Sequence, residues 1–426
     1  MTAFDLPRML RVRQTGEPPR LPDVAARLED ALGAFGLRDR LGAGDRVALA
    51  VGSRGIRDLC PVLRTLVAAV RGAGAHPFIV PCMGSHGGAT AEGQAAVLAE
   101  LGVTEAGIGA PVVSSMDAVE LGTSRFGAPV WGSPDLLEAD AVVIVNRVKP
   151  HTDFSGPLES GIAKMLVVGA GKHRGALEAH RLFVRHGFSA VLEEYARLLL
   201  EGLPVLCAVA VIENQSDETA ELHVLGRDDV LTAEPALLRR ARELMPALPF
   251  SRIDCLLVDE MGKDVSGSGM DTNVIGRKPG GAGDPAVTRI VVRDLTPASE
   301  GNALGIGFAD FTTARLVARI DREVTAVNAV TAMAPDIARV PLAFDSDLDA
   351  LAAAFATSGA ATPEEFRLVW IRNTLDVREL LVAEALTRDV AGHAGLRAVG
   401  PLGPFPLDEA GRLAPDWRPG GARCDA

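Results

Sequence analysis

The sequence has few aromatic residues and no long hydrophobic run. Of its 426 residues only 4% are aromatic, with one Tyr and three Trp. Base stacking on aromatic side chains is therefore poorly supported. The net charge of −12 also disfavours a nucleic acid or an anionic membrane as the main partner. No stretch reaches about 18 uninterrupted apolar residues, so we expect no transmembrane helix.

Cysteine is sparse and scattered. The five cysteines are odd in number and form no CxxC pair. This pattern indicates reduced thiols rather than a disulfide framework or a zinc ribbon. The first residues, MTAFDLPRMLRVRQTG, lack an apolar core long enough for a signal peptide. Together these features predict a cytoplasmic protein.

The chain is long enough for two domains, and hydrophobic residues make up 48% of it. Short β-branched runs alternate with stretches of helical period, which predicts an α/β fold with mainly parallel sheets flanked by helices. We expect an N-terminal catalytic and cofactor-binding domain over residues 1–248 and a C-terminal α/β domain over 249–400. The Pro/Gly-rich tail, 401–426, is expected to pack back on the N-terminal domain.

The patterns also locate individual elements in each domain. Strands are predicted, followed in most cases by loops, at 46–54, 76–88, 141–151, 205–213, 253–260, 288–295 and 366–374. Helical periodicity is found at 56–74, 90–101, 186–201, 309–321, 347–357 and 377–386. The strand at 366–374 is the last clear one.

Three consecutive predicted strands end in reactive side chains, Arg54, His86 and then His151, each beside small residues. In an open parallel sheet the ligand site forms at the carboxyl ends of the strands. A single strand-end histidine is often only a capping or solvated residue. Three such ends that converge are stronger evidence, and we expect the active site there, in the cleft between the domains.

The segment 146–180 holds three of the eight histidines and three lysines. Lys164 lies between apolar residues, where a lowered pKa makes an amine a usable nucleophile or attachment point. The alternative is a lysine that snorkels at the end of a helix or strand. His173 and His180 are seven residues apart and can share a helix face, but they form no HxxxH zinc pair.

Other motifs in the chain give weaker signals. His76, His186, His223 and His393 have no setting that singles them out, and we interpret them as structural. The GSGMD loop lacks the lysine and threonine of a phosphate loop, and GSHGG does not match a dinucleotide fingerprint. An ordinary NAD dehydrogenase is therefore the least favoured interpretation.

Several motifs taken together resemble the nickel-dependent lactate racemase superfamily. They are SRG at 53–55, MGSHGGAT at 83–90 and KPHTDFSGPLESGIAK at 149–164, followed by His180. The resemblance implies a nickel-pincer nucleotide cofactor, the Ni pyridinium-3,5-bisthiocarboxylic acid mononucleotide. Separate enzymes build this cofactor, and we expect them to be partners of the chain.

The resemblance also assigns roles to individual residues. It implies acid/base roles for His86 and His151 and a substrate-carboxylate role for Arg54. It implies that Lys164 anchors the cofactor through a thioamide and that His180 binds the metal, with His173 as the reserve candidate. Further cofactor contacts are expected from the turn around His86, namely Gly84, Ser85, Gly87 and Gly88. In the second domain Lys263 and Asp271 are expected to contact substrate or the cofactor phosphate.

The sequence departs from the best-known members in two places. Those members have a glycine pair shortly before the lysine, whereas here the segment is ESGIAK, and His86 is flanked by glycines rather than by a bulky basic residue. Both differences indicate a divergent branch with another substrate, and they leave covalent attachment at Lys164 less secure than cofactor binding itself.

The function predicted is a racemase or epimerase that inverts C2 of a small 2-hydroxy acid by hydride transfer. Two neutral histidines suit this chemistry because the pKa of imidazole lies near the working pH, and an arginine binds a carboxylate bidentately. The alternatives are a metal-dependent hydrolase or lyase without organic cofactor, and a non-catalytic cofactor-binding relative. The sequence leaves open the identity of the hydroxy acid and whether the chain forms a homo-oligomer.

Overall fold

The computed structural model describes residues 5–53, 55–279, 281–407 and 412–413, except for the side chain at position 282. Two compact units are present. The first is Pro18–Met245, and the second combines the described parts of Met1–Glu17 and Pro246–Ala426. No helix of the described residues combines the length and apolarity needed to cross a membrane.

The described residues form strands and helices that alternate along most of the chain. The strands are β1 (Met9–Gln14), β2 (Arg46–Val51), β3 (His76–Pro81), β4 (Val119–Thr123), β5 (Pro129–Gly132), β6 (Ala141–Arg147), β7 (Val205–Glu213), β8 (Thr219–Gly226), β9 (Arg252–Met261), β10 (Arg277–Lys278), β11 (Gly281–Ala282), β12 (Ala286–Leu295), β13 (Phe311–Thr313), β14 (Leu342–Phe344), β15 (Leu368–Ile371), β16 (Glu379–Ala383) and β17 (Leu396–Ala398). The helices are α1 (Val24–Phe35), α2 (Leu59–Gly72), α3 (Ala91–Glu100), α4 (Glu105–Ile108), α5 (Pro134–Leu137), α6 (Ile162–Met165), α7 (Lys172–His186), α8 (Phe188–Gly202), α9 (Val230–Leu244), α10 (Thr272–Ile275), α11 (Ala314–Arg319), α12 (Arg322–Thr331), α13 (Asp347–Ser358) and α14 (Thr387–Gly392). A π-helical turn, Leu166–Ala170, joins α6 to α7.

A five-stranded sheet in the order β3-β2-β6-β7-β8 forms the centre of the unit Pro18–Met245. The first four strands in this order are parallel, and β8 is antiparallel to β7. Alternate residues of β2 enter two separate core clusters, with Ala48 and Ala50 in one and Val47 and Leu49 in the other. Because both faces of the sheet are covered, β2 has a continuous apolar run instead of an alternating pattern.

The second unit is built on an eight-stranded sheet in the order β14-β13-β12-β9-β15-β16-β1-β17. The five strands from β14 to β15 are parallel, and β16, β1 and β17 continue the sheet in antiparallel pairs. The interior strands β9 and β15 are almost wholly buried, again between two core clusters. The predicted α/β class with mainly parallel sheets is therefore confirmed.

Two element predictions in the second unit were wrong. Residues 377–386 were expected to form a helix, but Glu379–Ala383 form strand β16, so 366–374 does not contain the last strand. The segment 309–321 begins as β13 and becomes helical only at Ala314. Short apolar runs fit either period, and in both cases pairing with a neighbouring strand determines the conformation.

The domain division also differs from the predicted one. Strand β1 pairs with β16 and β17, so the first 17 residues belong to the second unit, and the boundary falls at Met245/Pro246. The tail was expected to pack on the N-terminal domain. Its described part instead joins the second unit, where Gly403 bridges Met9 and Phe405 stacks on Trp370 at 5.7 Å. Pairings between residues nearly 400 positions apart have no local signature in the sequence.

Candidate functional site

Three strands of the five-stranded sheet end at the same edge. Val51 at the end of β2 is in register with Pro81 of β3 and Val145 of β6. The loops after these strands carry the predicted Arg54, His86 and His151, so their backbones leave the sheet on the same side. Arg54 itself lies outside the described residues. Its neighbour Ser53 is described, and the Oγ of Ser53 lies 2.5 Å from the Nδ1 of His86.

The turn that carries His86 requires glycine at two positions. Gly84 has φ 61°, and a Cβ there would lie 2.3 Å from the carbonyl oxygen of Val168. Gly87 has φ 64°, and its Cβ would lie 2.4 Å from the carbonyl carbon of Gly93. Both positions combine the left-handed conformation with close backbone packing. The turn is thereby pressed against the segment that follows Lys164, and His86 is left exposed beside Ser53.

The other two predicted cofactor contacts in this turn, Ser85 and Gly88, are exposed. Gln94 of α3, which the sequence analysis did not single out, is fully buried and donates through Nε2 to the carbonyl of Gly84 at 2.8 Å. The buried side chain of Gln94 thus holds the turn in place, while Ser85 and Gly88 remain exposed to solvent.

His151 is held by hydrogen bonds on its backbone and on its ring. Its backbone N–H donates to Oε2 of Glu159 at 2.7 Å, and its Nδ1 accepts from the backbone N–H of Asp153 at 3.0 Å. The carboxylate of Glu159 is fully buried and also pairs with Arg242 at 2.5 Å. The imidazole is 12% exposed, so the ring is held in a largely buried position.

Lys164 lies in α6, where its Nζ is 2.5 Å from Nε2 of His151. Because the Asp153 N–H donates to Nδ1, a neutral ring carries its proton on Nε2. The Lys164 amine then accepts that proton's hydrogen bond, which requires a lone pair on nitrogen. The geometry therefore favours the nucleophilic, neutral form of the amine and is unlike that of a lysine extended into solvent.

His180 is on α7, two turns after His173. Its Nδ1–H donates to the carbonyl of Ala176 at 2.6 Å, which leaves the lone pair on Nε2 and orients the ring as metal-binding histidines are commonly oriented. Ala176 contacts the His86 turn, since its Cβ lies 3.1 Å from where a Cβ on Gly84 would be. His173 lies in the first turn of the same helix, and both histidines are exposed.

A row of stacked aromatic rings lies between His151 and His180. His151 stacks on Phe154 at 4.4 Å and Phe154 on Phe188 at 4.0 Å. Phe188 stacks on Phe183 at 4.6 Å, and His180 meets Phe183 edge-on at 5.7 Å. The two imidazoles therefore border one apolar cluster, which fixes both rings relative to the same core.

Two further reactive groups in the region are buried and do not act on a ligand in this structure. Cys82 is 3% exposed, and burial raises the pKa of its thiol to about 11, so it is not a thiolate nucleophile. Lys172 is fully buried and donates to the carbonyl of Pro81 at 2.7 Å. Both belong to the packing between β3 and the start of α7.

Buried acidic residues that the sequence analysis passed over support the site. Glu213, at the end of β7, pairs with Arg147 of β6 and accepts from the backbone N–H of Arg57 at 2.7 Å. Glu159 holds the His151 loop, as described above. Glu159 lies inside the motif at 149–164, whereas Glu213 and the Ser53 contact have no sequence signal beyond their position at strand ends.

The two predicted residues of the second unit lie on the loop after β9. The Nζ of Lys263 donates to the carbonyl of Gly267. Asp271 accepts from the backbone N–H of Asn273 at 2.9 Å and so caps α10. The structure accordingly gives Asp271 a local structural role. The contacts named here for Lys263 and Asp271 are with residues of the second unit.

Among the described residues no group of three or more His, Cys, Asp or Glu side chains is arranged to hold a metal ion. A metal ion bound through Nε2 of His180 would therefore require donors from another molecule. Sulfur donors of an organic ligand satisfy that requirement, and the lone pair on Nε2 fits the remaining coordination position.

Comparison with known proteins shows a domain match and a similar fold. Residues 11–191 match the lactate racemase N-terminal domain family. The chain is also similar in structure to the lactate racemase apoprotein from Thermoanaerobacterium thermosaccharolyticum, with a TM-score of 0.54 and 11% identity, over 86% of this chain and 94% of that one. None of the curated proteins matches the sequence. The first part of the chain is thus similar to the lactate racemase N-terminal domain, and the chain shares its fold with the lactate racemase apoprotein.

Proposed function

We propose that the protein is a racemase or epimerase that inverts C2 of a small 2-hydroxy acid. The similarity of residues 11–191 to the lactate racemase N-terminal domain and the shared fold support a racemase-type activity in general. The observation that carries the finer proposal is the set of strand-end groups, in which His86 is paired with Ser53 and His151 with Lys164 at one edge of the sheet.

The cofactor proposed is the nickel-pincer nucleotide. His180 offers Nε2 to nickel and Lys164 offers an amine for attachment. Gly84 and Gly87 shape the turn that carries His86, and Ser85 and Gly88 are exposed on it for contact with the cofactor. When bound, this cofactor supplies a reversible acceptor for the C2 hydride. The chain's own groups then have to bind the substrate, orient it and move the hydroxyl proton.

Proton transfer is assigned to the two histidines. In the tautomer with a proton on Nδ1 of His86, the hydroxyl of Ser53 accepts that proton's hydrogen bond at 2.5 Å, and Nε2 is left as a base. His151 differs, because its Nε2–H is directed at Lys164 and its basic nitrogen, Nδ1, accepts from the backbone of Asp153. It takes a substrate proton only when the contact with Asp153 is broken, and the two imidazoles then hold the hydroxyl proton on either side, as inversion requires.

Substrate binding is assigned to Arg54, with Lys263 as a second cation. A guanidinium binds the substrate carboxylate bidentately, and Arg54 directly follows Ser53, the partner of His86. Lys263 is proposed to contact substrate or the cofactor phosphate. Asp271 was proposed with it, but since it caps α10 we give that contact less support.

The test is inversion by protein co-produced with the enzymes that build the cofactor. We expect His86→Ala and His151→Ala each to lower racemisation of the preferred hydroxy acid at least about 10²-fold with unchanged circular dichroism. His186→Ala is the control. This histidine stacks on Phe126 at 4.6 Å and has no role in the proposed mechanism, so its loss should leave racemisation unchanged. Near-normal racemisation in both variants would contradict the assignment.

Nickel content and intact mass are the first measurements to make on that protein. Stoichiometric nickel with a mass adduct that Lys164→Ala removes supports both the cofactor and its attachment. Nickel without an adduct supports the cofactor alone. Protein that carries neither, although the cofactor enzymes are active, would contradict the proposed cofactor.

A further inference from the structure

Glu234 is a buried carboxyl group that the proposed mechanism does not use. It lies on α9 and is 1% exposed. Its Oε2 accepts from the backbone N–H of Ala163 at 2.9 Å, in the first turn of the helix that carries Lys164. Burial raises the pKa of this carboxyl to about 7, opposed by hydrogen bonds from two backbone N–H groups of that turn.

The residue before this helix leaves space for the carboxyl. A Cβ on Gly161 would lie 2.1 Å from Oε1 of Glu234. The backbone at Gly161 is extended, with φ −174°, so glycine is required here by space and not by conformation. The carbonyl of Gly161 also accepts from Nδ2 of Asn146 at 2.7 Å, which ties the same residue to the end of β6.

This arrangement is an unusual way to cap a helix. A serine, threonine, aspartate or asparagine at the position before the helix is the common cap and buries no distant carboxyl. Here the cap comes from a residue 71 positions further along the chain, and a buried carboxyl costs free energy unless its hydrogen bonds are satisfied. What it adds is a direct link between α9 and the turn next to Lys164.

We propose that Glu234 is a positioning residue for Lys164, acting through Gly161 and the first turn of α6 to hold the lysine amine against His151. Gly161, in the ESGIAK segment, has no side chain, and this leaves room for the Glu234 carboxyl to reach the N–H of Ala163. The importance of Lys164 rests on the proposed function, but its positioning by Glu234 does not require any cofactor or substrate.

The experiment measures the reactivity of Lys164 in the cofactor-free protein. The chain has only five lysines, so brief acetylation with acetic anhydride followed by peptide mass spectrometry gives a rate for each. Lys278, in the other unit, is the internal reference. The variants are Glu234→Ala, Glu234→Gln and Gly161→Ala, and hydrogen exchange reports whether Pro18–Met245 remains folded.

We expect Glu234→Ala and Gly161→Ala to lower the Lys164 rate relative to Lys278 by about fivefold, the factor that corresponds to loss of a helix cap. The amine then leaves His151 and is protonated more of the time, which outweighs its greater exposure. Glu234→Gln keeps an acceptor for the Ala163 N–H and should restore the rate to within about twofold of the parent protein.

Unchanged Lys164 rates in a folded Glu234→Ala or Gly161→Ala protein would overturn the proposal. So would a Glu234→Gln rate as low as that of Glu234→Ala, because an acceptor for the Ala163 N–H would then not be enough to hold the turn. If Glu234→Ala does not fold, Gly161→Ala decides, since it keeps the glutamate and disturbs only its contact with the turn before α6. The acetylation result is independent of racemisation, so failure of the proposed function would be seen separately.

Discussion

The amine of Lys164 lies 2.5 Å from Nε2 of His151, whose other ring nitrogen accepts from the backbone of Asp153. Two residues assigned to different tasks, cofactor attachment and proton transfer, thus share a hydrogen bond in the cofactor-free protein. The protonation of one side chain determines whether the other donates or accepts this hydrogen bond. Predictions about either residue therefore have to consider both.

Substitution of His151 should reduce the reactivity of Lys164. About one in 2,500 ordinary lysine amines is neutral at pH 7, so the reactivity of an amine held as a hydrogen-bond acceptor can fall far when that hydrogen bond is lost. We expect Lys164 in the parent protein to be acylated on the order of 10- to 100-fold faster than Lys278, and His151→Ala to remove most of this difference. Equal rates for Lys164 in the two proteins, measured by peptide mapping at pH 7, would refute the shared hydrogen bond.

Removal of His180 should abolish nickel retention, whereas removal of His173 should not. Nδ1 of His180 is engaged with Ala176 and leaves Nε2 for the metal, while His173 lies two turns earlier, at the start of α7. Metal analysis of His180→Ala and His173→Ala, each co-produced with the cofactor enzymes, tests this. If His173→Ala is the variant that loses nickel, the reserve assignment replaces the present one.

The stability of the unit Pro18–Met245 should depend on the titration of Glu234. Burial raises the pKa of this carboxyl from 4.5 to about 7 in the folded protein. As pH rises from 4.5 to 7, the unfolded chain releases the proton first, so the free energy of unfolding falls through this window and levels off above it. This contribution is about 3 kcal/mol in total, at 1.36 kcal/mol per pKa unit.

The variant Glu234→Gln should lack this part of the pH dependence. Hydrogen exchange in increasing urea, followed on peptides from Pro18–Met245 at pH 5 and pH 7.5, gives the free energy of unfolding for both proteins. The parent protein should lose more stability between the two pH values than the variant does. Parallel behaviour of the two proteins would show that the carboxyl is not protonated in this range.

Loss of Glu213 should destabilise the same unit strongly. Its carboxylate is 5% exposed and pairs with Arg147, which is 18% exposed. Glu213→Ala leaves Arg147 without its partner and also releases the N–H of Arg57. We expect a loss of about 3–5 kcal/mol in the free energy of unfolding, as when one member of a buried ion pair is removed.

The control for this prediction is Arg197→Ala. Arg197 pairs with Glu194 and Glu201 on the surface of α8 and is 47% exposed. Exposed pairs contribute little, so urea unfolding of this variant should resemble that of the parent protein. A similar loss in both variants would mean that the burial of the Arg147–Glu213 pair is not what makes it important.

The sequence by itself determined the fold class, most strands and helices of the first unit, and the residues at the strand ends. These follow from local causes, since the apolar runs of β2, β3 and β6 have one suitable period and the GSHGG turn contains the glycines that its conformation needs. The motifs around His151 and Lys164 likewise carried the family resemblance in adjacent letters.

The tertiary structure alone decided which distant segments meet. Strand β1 joins β16 and β17 across the whole length of the chain, and Glu234 reaches Ala163 from α9. The run at 379–383 forms a strand and not a helix because a partner strand is present to pair with it. Local sequence constrains the backbone of a few neighbouring residues, whereas pairing, burial and the placement of a distant carboxyl depend on which surfaces remain to be covered once the sheets have formed.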